Sequence, residues 1–315
     1  MVPDFNLIVQ AAKRISPYIH RTPVITSERI NKLFETEIYF KCENLQKAGA
    51  FKTRGAVNAV FLLNDNELKN GVATHSSGNH AQALARAASI RGIKSYIVMP
   101  EDSSKVKVNA VKAYGGIITF CKPTLEARET TLAEILKKTN SKEIHPYNDF
   151  RIIAGQATAA MEFFEQTHEM DIIMVPVGGG GLLSGTGLAS HYFSPKTKVI
   201  AAEPEQASDA FRSFNSGLFV ESKNPDTIAD GLRTSLGDKT FPLIQQYVHQ
   251  IVTVSEKAII DAMRLVWEST KLLIETSSAV PIAALLEKKY DFEHKKIGII
   301  LSGGNVDLDN LPWIK

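Results

Sequence analysis

Short apolar runs alternate along this chain with stretches whose apolar positions recur at helical spacing, and Gly-, Ser- and Asn-rich turns separate the two kinds. Val72-Ala73-Thr74-His75 leads through Ser76-Ser77-Gly78 into a helix predicted from Asn79 to Arg91, which Gly92 ends. Lys94 to Met99 predicts a second strand, and Gly116 to Phe120 a third, followed by a helix from Leu125 to Lys138. In the second half, Asp171 to Val177 reads as a buried strand running into four glycines, with a helix starting near Leu182. Lys198 to Glu203 and Lys296 to Leu301 are further strands, and Glu256 to Ile274 has helical periodicity between them. Strand–turn–helix repetition of this kind predicts an α/β fold with largely parallel sheets.

Such sheets bind ligands at the carboxyl ends of their strands. Three polar turns occupy that position: Ser76-Ser77-Gly78-Asn79-His80, Gly178-Gly179-Gly180-Gly181 and Ser302-Gly303-Gly304-Asn305. Four glycines between a strand and a helix let backbone N–H groups close around an anion, which the helix dipole also favours. The spacing excludes two rival motifs. A dinucleotide fingerprint needs glycines at i, i+2 and i+5, but Leu183 and Ser184 stand where the third would fall. A P-loop needs Gly-Lys-Ser/Thr, and Gly185 is followed by Thr186. The turn is therefore read as a phosphate cradle.

Lys52 lies in Ala48-Gly49-Ala50-Phe51-Lys52-Thr53, just ahead of a predicted helix. Taken with the three turns, an amine so placed suggests a lysine that carries an aldehyde cofactor. Ser77 and His80 could pair as in a hydrolase, but no Gly-x-Ser-x-Gly elbow or supporting carboxylate accompanies them. His75, His145, His191 and His294 are scattered and read as capping or surface residues. Glu203 to Asp209 carries three carboxylates after a strand. Its spacing lets Glu203, Asp209 and an intervening carbonyl converge on Mg²⁺, Mn²⁺ or Ca²⁺.

Composition narrows the class without adding chemistry. The net charge of +2, from 36 basic and 34 acidic residues, argues against nucleic acid. No basic block suggests a membrane surface, no apolar run reaches the ~20 residues of a spanning helix, and the start lacks signal-peptide order. A cytoplasmic protein is expected. With only Cys42 and Cys121, a disulfide framework and a cysteine metal site are not expected, and Cys42 reads as a buried thiol.

Together these segments resemble the fold-type II pyridoxal-phosphate enzymes of the serine/threonine dehydratase and serine racemase group. Phe51-Lys52, Ser76 to His80, Ile153-Ala154-Gly155-Gln156, Gly178 to Gly181, Thr227-Ile228-Ala229-Asp230-Gly231 and Ser302 to Asn305 occur in the family's order and cover nearly the whole chain. The resemblance implies two open, twisted, mainly parallel sheets flanked by helices. It also implies a large cofactor-binding domain (1–67 with 149–315) and a small one (68–148), with the cofactor in the cleft between them and a homodimeric assembly. On that pattern Lys52 carries pyridoxal 5'-phosphate as a Schiff base, and Phe51 packs on the pyridine ring. Gly178, Gly179, Gly180, Gly181 and Leu182 hold the phosphate, Asn79 the ring hydroxyl and Ser302 the ring nitrogen, with Gly231 also in the cofactor site.

The substrate, a small hydroxy amino acid, would contact Ser76, Ser77, Asn79 and His80, with Arg128 and Thr234 beside it. Lys52 and Ser77 would act as bases on opposite faces of Cα. The implied activity is serine/threonine dehydration to a 2-oxo acid and ammonia, with serine racemisation. Two alternatives are an L-threo-3-hydroxyaspartate ammonia-lyase and a non-catalytic amino-acid- or anion-binding protein. Glu203, the Ala207 carbonyl and Asp209 match the family's divalent-cation site. Glu28 and Ala48 replace the serine and threonine of the animal racemases' nucleotide segments, so ATP activation is not expected. Ile274 to Ala279 departs from the usual Glu-Pro-Thr/Ser-Ala/Gly stretch, and the short tail after Asn305 leaves no room for a regulatory domain of the biosynthetic dehydratases.

Overall fold

The computed structural model describes residues 1–167 and 169–314. Among them ten strands form two sheets: β1 (Val24–Ile25), β2 (Glu37–Lys41), β3 (Val72–His75), β4 (Ser95–Pro100), β5 (Ile117–Cys121), β6 (Lys142–Glu143), β7 (Ile172–Pro176), β8 (Lys198–Pro204), β9 (Gln250–Val254) and β10 (Lys296–Ile300). The larger sheet runs β1-β2-β10-β7-β8-β9, and the smaller runs β5-β4-β3-β6. Every pairing is parallel except β1 with β2. The four strands of the smaller sheet all fall between Val72 and Glu143.

All five residues of β7 are buried, as a parallel strand covered on both faces requires. Its side chains alternate between two apolar layers. Ile172 and Met174 join Ile259, Met263 and Val280 on one face; Ile173 and Val175 join Ile153, Ala157 and Leu183 on the other. The Lys52–Phe61 helix serves both sheets. Its Val57 and Val60 pack with Leu84 and Ala88 of the Asn79–Ile90 helix, while its other side meets the Phe150–Thr167 helix. There a Cβ on Gly155 would come within 2.6 Å of Gly55 Cα and 2.7 Å of the Arg54 carbonyl, so the two backbones touch.

A buried ionic cluster pins the start of that helix. The Arg54 guanidinium donates to both oxygens of Glu43 and both of Glu162, each at 2.8 Å, and Lys41 Nζ donates to Glu162 at 2.9 Å. Two cations face two anions, so burial leaves no net charge, the condition under which such a cluster is tolerated.

The predicted elements form at nearly the predicted places, with one correction. The helix from Glu256 stops at Thr270 rather than Ile274, because Lys271 turns left-handed (φ 63°) and caps it through Trp267 O. Two elements lack an amphipathic signal. The Phe150–Thr167 helix buries an unbroken run from Ile152 to Phe164, and β2 is too short to show a period.

Candidate active site

Three of the polar turns lie at carboxyl ends of strands: Ser76 to His80 after β3, Gly178 to Gly181 after β7, and Ser302 to Asn305 after β10. The Lys52 turn follows β2, the neighbour of β10. A bridge between Ala50 and Gly303 and a bond from Phe51 N–H to Ser302 O (3.0 Å) fasten it there. Gly49 takes φ 68° to make the turn, and its missing side chain leaves room for the Asn305 amide.

Lys52 is the first residue of its helix and is half-buried, with Nζ 5.2 Å from the centre of the Phe51 ring and donating to Pro146 O at 2.9 Å. Desolvation lowers its pKa to about 8. Among the described residues no carboxylate pairs with this amine to hold its proton.

The cradle starts the Gly181–Phe193 helix, whose N-cap Gly180 sits at φ 83° and has no side-chain cap. Its first N–H groups are therefore open to an anion. The glycines are sterically required. A Cβ on Gly179 would collide with the Tyr147 ring, and one on Gly178 would sit 2.9 Å from Leu232 Cα and 3.3 Å from Thr234 Oγ1. Gly231 and Thr234 thus border the cradle, and Gly231 N–H donates to Ser277 at 3.2 Å.

Ser76 and Ser77 are half-buried just after β3, and Asn79 and His80 begin the following helix. His80 Nε2 sits 3.2 Å from Ile144 O, and burial, followed by the charge of Lys52, drives its pKa well down. A ring so engaged does not serve Ser77 as a base, against the hydrolase reading. Ser302 is buried, with its hydroxyl 3.0 Å from that of Ser278. The charge of Arg128 bears on both His75 and Tyr147.

Two histidines contradict the surface assignment made from sequence. His75 is buried, His145 is half-buried, and their rings meet edge-on at 6.0 Å. They line a cavity of about 230 Å³ with Glu129, Tyr147, Asn148 and Ser235. Burial lowers both pKa values to about 4, so both rings are neutral near neutral pH. His145 Nδ1 accepts from the Tyr147 and Asn148 N–H groups, so it does cap a turn, but inside the cleft. Nothing in the sequence marked Tyr147 or the Pro146 carbonyl.

The structural tests favour both implied groups. A cradle that no Cβ can enter, beside a desolvated lysine, fits a phosphate-bearing aldehyde. At the end of β8, Glu203 accepts from the Ala210 and Phe211 N–H groups at 3.0 and 2.8 Å, while neither oxygen of buried Asp209 has a hydrogen-bond partner. Burial raises the pKa of Glu203 well above the carboxylate range and that of Asp209 to about 6. Two buried carboxylates that feel the charge of Arg212 but, among the described residues, form no salt bridge fit a hard cation. Among the described residues no three acidic, His or Cys side chains converge, so backbone carbonyls and water would complete the shell.

Residues 15–303 match the family described as "Pyridoxal-phosphate dependent enzyme". The chain belongs to that family. It is 48% identical over 312 residues to the β-hydroxyaspartate dehydratase of Paracoccus denitrificans, covering 99% of each chain. It is 50% identical over 311 residues to the serine racemase of Dictyostelium discoideum, covering 98% of this chain and 96% of the relative. Maize serine racemase superposes with a TM-score of 0.95 at 44% identity, covering 98% and 95% of the two chains. The two-sheet architecture of this family member is thus that of fold-type II. No described helix is long and apolar enough to cross a membrane.

Proposed function

We propose that this chain is a pyridoxal-phosphate-dependent ammonia-lyase for small β-hydroxy amino acids, L-serine and L-threonine first, that also racemises serine. The observation that carries this reading is the unpaired, desolvated Lys52 amine, whose charge bears on His80 of the Ser76–His80 turn, together with an open glycine cradle. A merely binding protein has no use for an amine that loses its proton so readily at that place.

Lys52 anchors the cofactor and, once released, takes the Cα proton on its own face. The cofactor, when bound, draws off the electron pair left at Cα. Phe51 covers the ring, the N–H groups of Gly178, Gly179, Gly180, Gly181 and Leu182 hold the phosphate, and Gly231 borders it. Ser302, a neutral hydroxyl, accompanies the ring nitrogen, and Asn79 the ring oxygen. Ser76, Ser77, Asn79 and His80 orient the substrate carboxylate, with Arg128 and Thr234 nearer its side chain. Loss of the β-hydroxyl as water, then hydrolysis, gives the 2-oxo acid and ammonia. Ser77 returns a proton on the face opposite Lys52, which inverts Cα. Glu203, the Ala207 carbonyl and Asp209 hold Mg²⁺ or a similar cation outside this chemistry. Residues 68–148 act as the smaller domain that closes on the larger, in a cytoplasmic homodimer.

The charge of Arg128 at the cleft favours a second reading, a 3-hydroxyaspartate ammonia-lyase, since a β-carboxylate would find its counter-ion there. The deciding experiment scores 2-oxo acid and enantiomer separately on L-serine, D-serine, L-threonine and L-threo-3-hydroxyaspartate. Ser77→Ala should abolish serine racemisation and leave L-serine dehydration measurable. Equal loss of both activities would remove the two-base assignment.

A further inference from the structure

One buried chain of contacts crosses between the sheets beside this site. Lys107 belongs to the Lys105–Ala113 helix on the smaller sheet, and its stem lies against Gly78, where a Cβ would approach Nζ to 3.2 Å. Its ammonium pairs with Asp230 and stands 3.9 Å from Glu275 Oε2. Glu275 is buried ahead of the Thr276–Leu286 helix, and its Oε1 accepts from Asn79 Nδ2 at 2.6 Å. Asn79 Oδ1 in turn accepts from Asn305 Nδ2 at 2.9 Å, and Asn305 Nδ2 also donates to Ala48 O at 2.9 Å.

The two ends of a side-chain amide have nearly the same shape, so its neighbours decide which end goes where. An ionised carboxylate only accepts, so it admits only the NH₂ end of Asn79. The Asn305 NH₂ group has both protons committed and requires the oxygen end. The two demands agree, and they leave one Asn79 N–H without a protein acceptor. A protonated Glu275 would be able to donate, and the first demand would vanish. Burial raises the Glu275 pKa to about 7, against the pull of Lys107. The Lys107 ammonium favours the ionised carboxylate, while the neighbouring Asp230 opposes it. Glu275 Oε2 has no hydrogen-bond partner, so Lys107 is the compensation it has.

We propose that Glu275, facing the Lys107 ammonium, is a positioning residue that sets the Asn79 amide so that its free N–H serves the ring oxygen of pyridoxal phosphate. Because Lys107 comes from the smaller sheet and Glu275 from the larger unit, this orientation is complete only when the two are together. The inference rests on Asn79 being a cofactor ligand. The site would then depend on a lysine that contacts neither cofactor nor substrate.

The test releases pyridoxal phosphate from the holoenzyme by stepwise dilution and follows the visible band, in wild type, Glu275→Gln, Lys107→Met and Asn79→Ala, and in both doubles built on Asn79→Ala. Each single change should weaken retention on the order of tenfold, the scale of one charge-assisted hydrogen bond, and shift the band. Neither should add loss in the Asn79→Ala background. Retention within about twofold of wild type with an unmoved band, or losses that multiply in the doubles, overturns the proposal. Lys107→Met keeps the packed stem, so it reports even if Glu275→Gln folds poorly. A wild type without a Lys52-dependent band removes both the proposal and the cofactor site; a normal band with indifferent variants removes the proposal alone.

Discussion

An amine attacks an aldehyde only after losing its proton, and an exposed lysine keeps that proton to about pH 10.4. Lys52, held to about 8 by desolvation, gains it only as the pH falls through that lower value. The rate at which apoenzyme takes up pyridoxal phosphate should therefore climb through about pH 8 and then level off, read by the growth of visible absorbance. A climb that continues toward pH 10 would mean an ordinary lysine. At this scale the sequence was informative where chemistry and backbone need coincide. Lys52 stands beside a turn that only a small residue permits, and the four glycines form a cradle no Cβ can enter. Glu275 and Lys107 gave no such sign, because their meaning lies in partners brought together by folding. Asn79 and Glu275 are separated by 196 positions. His75 and His145 misled for the same reason, since a polar residue at a strand end looks solvated until the other sheet covers it.

Among elements, the junction of the Lys52–Phe61 and Phe150–Thr167 helices is the tightest constraint on the lysine. Gly155→Ala would push a methyl into Gly55 and the Arg54 carbonyl, and backbone cannot yield as a side-chain tip can. We expect a loss of about 1–3 kcal/mol in denaturant unfolding, the scale of overpacking at a rigid contact, and weaker cofactor retention because the lysine shifts. Unchanged stability would show that the helices separate freely. The amphipathic helices and the strands ending in polar turns were legible because each carries its own period and stop signal. The Phe150–Thr167 helix was not, since a helix buried on every side has no polar face to set its phase. The correction at Thr270 has a similar cause: Leu272 to Ile274 continue an apolar spacing, but Lys271 has already turned left-handed.

For the molecule as a whole, the fold class was legible from alternation alone, whereas the way two sheets share one helix was not. The proposed cation site lies after β8, in the larger sheet, so its contribution should appear in global stability. A group that binds only the folded state stabilises it by mass action. Chelation should lower Tm, by about 2–4 °C per kcal/mol lost for a large domain, and Mg²⁺ or Mn²⁺ should restore it. Glu203→Gln should abolish the response. An unchanged Tm in chelator would remove Glu203, Ala207 and Asp209 as a metal site.

The pairing of β2 with β10 sets the order in which the protein can come to life. Thr36, just ahead of β2, bonds the Lys295 carbonyl 259 residues further on, and the Lys52 turn is held by Ser302 and Gly303. On the ribosome, the lysine emerges well before the strand that fixes it. Until β10 has been made, Lys52 is therefore an ordinary solvated amine without an address, and on the proposed function secure cofactor capture would have to wait for that strand.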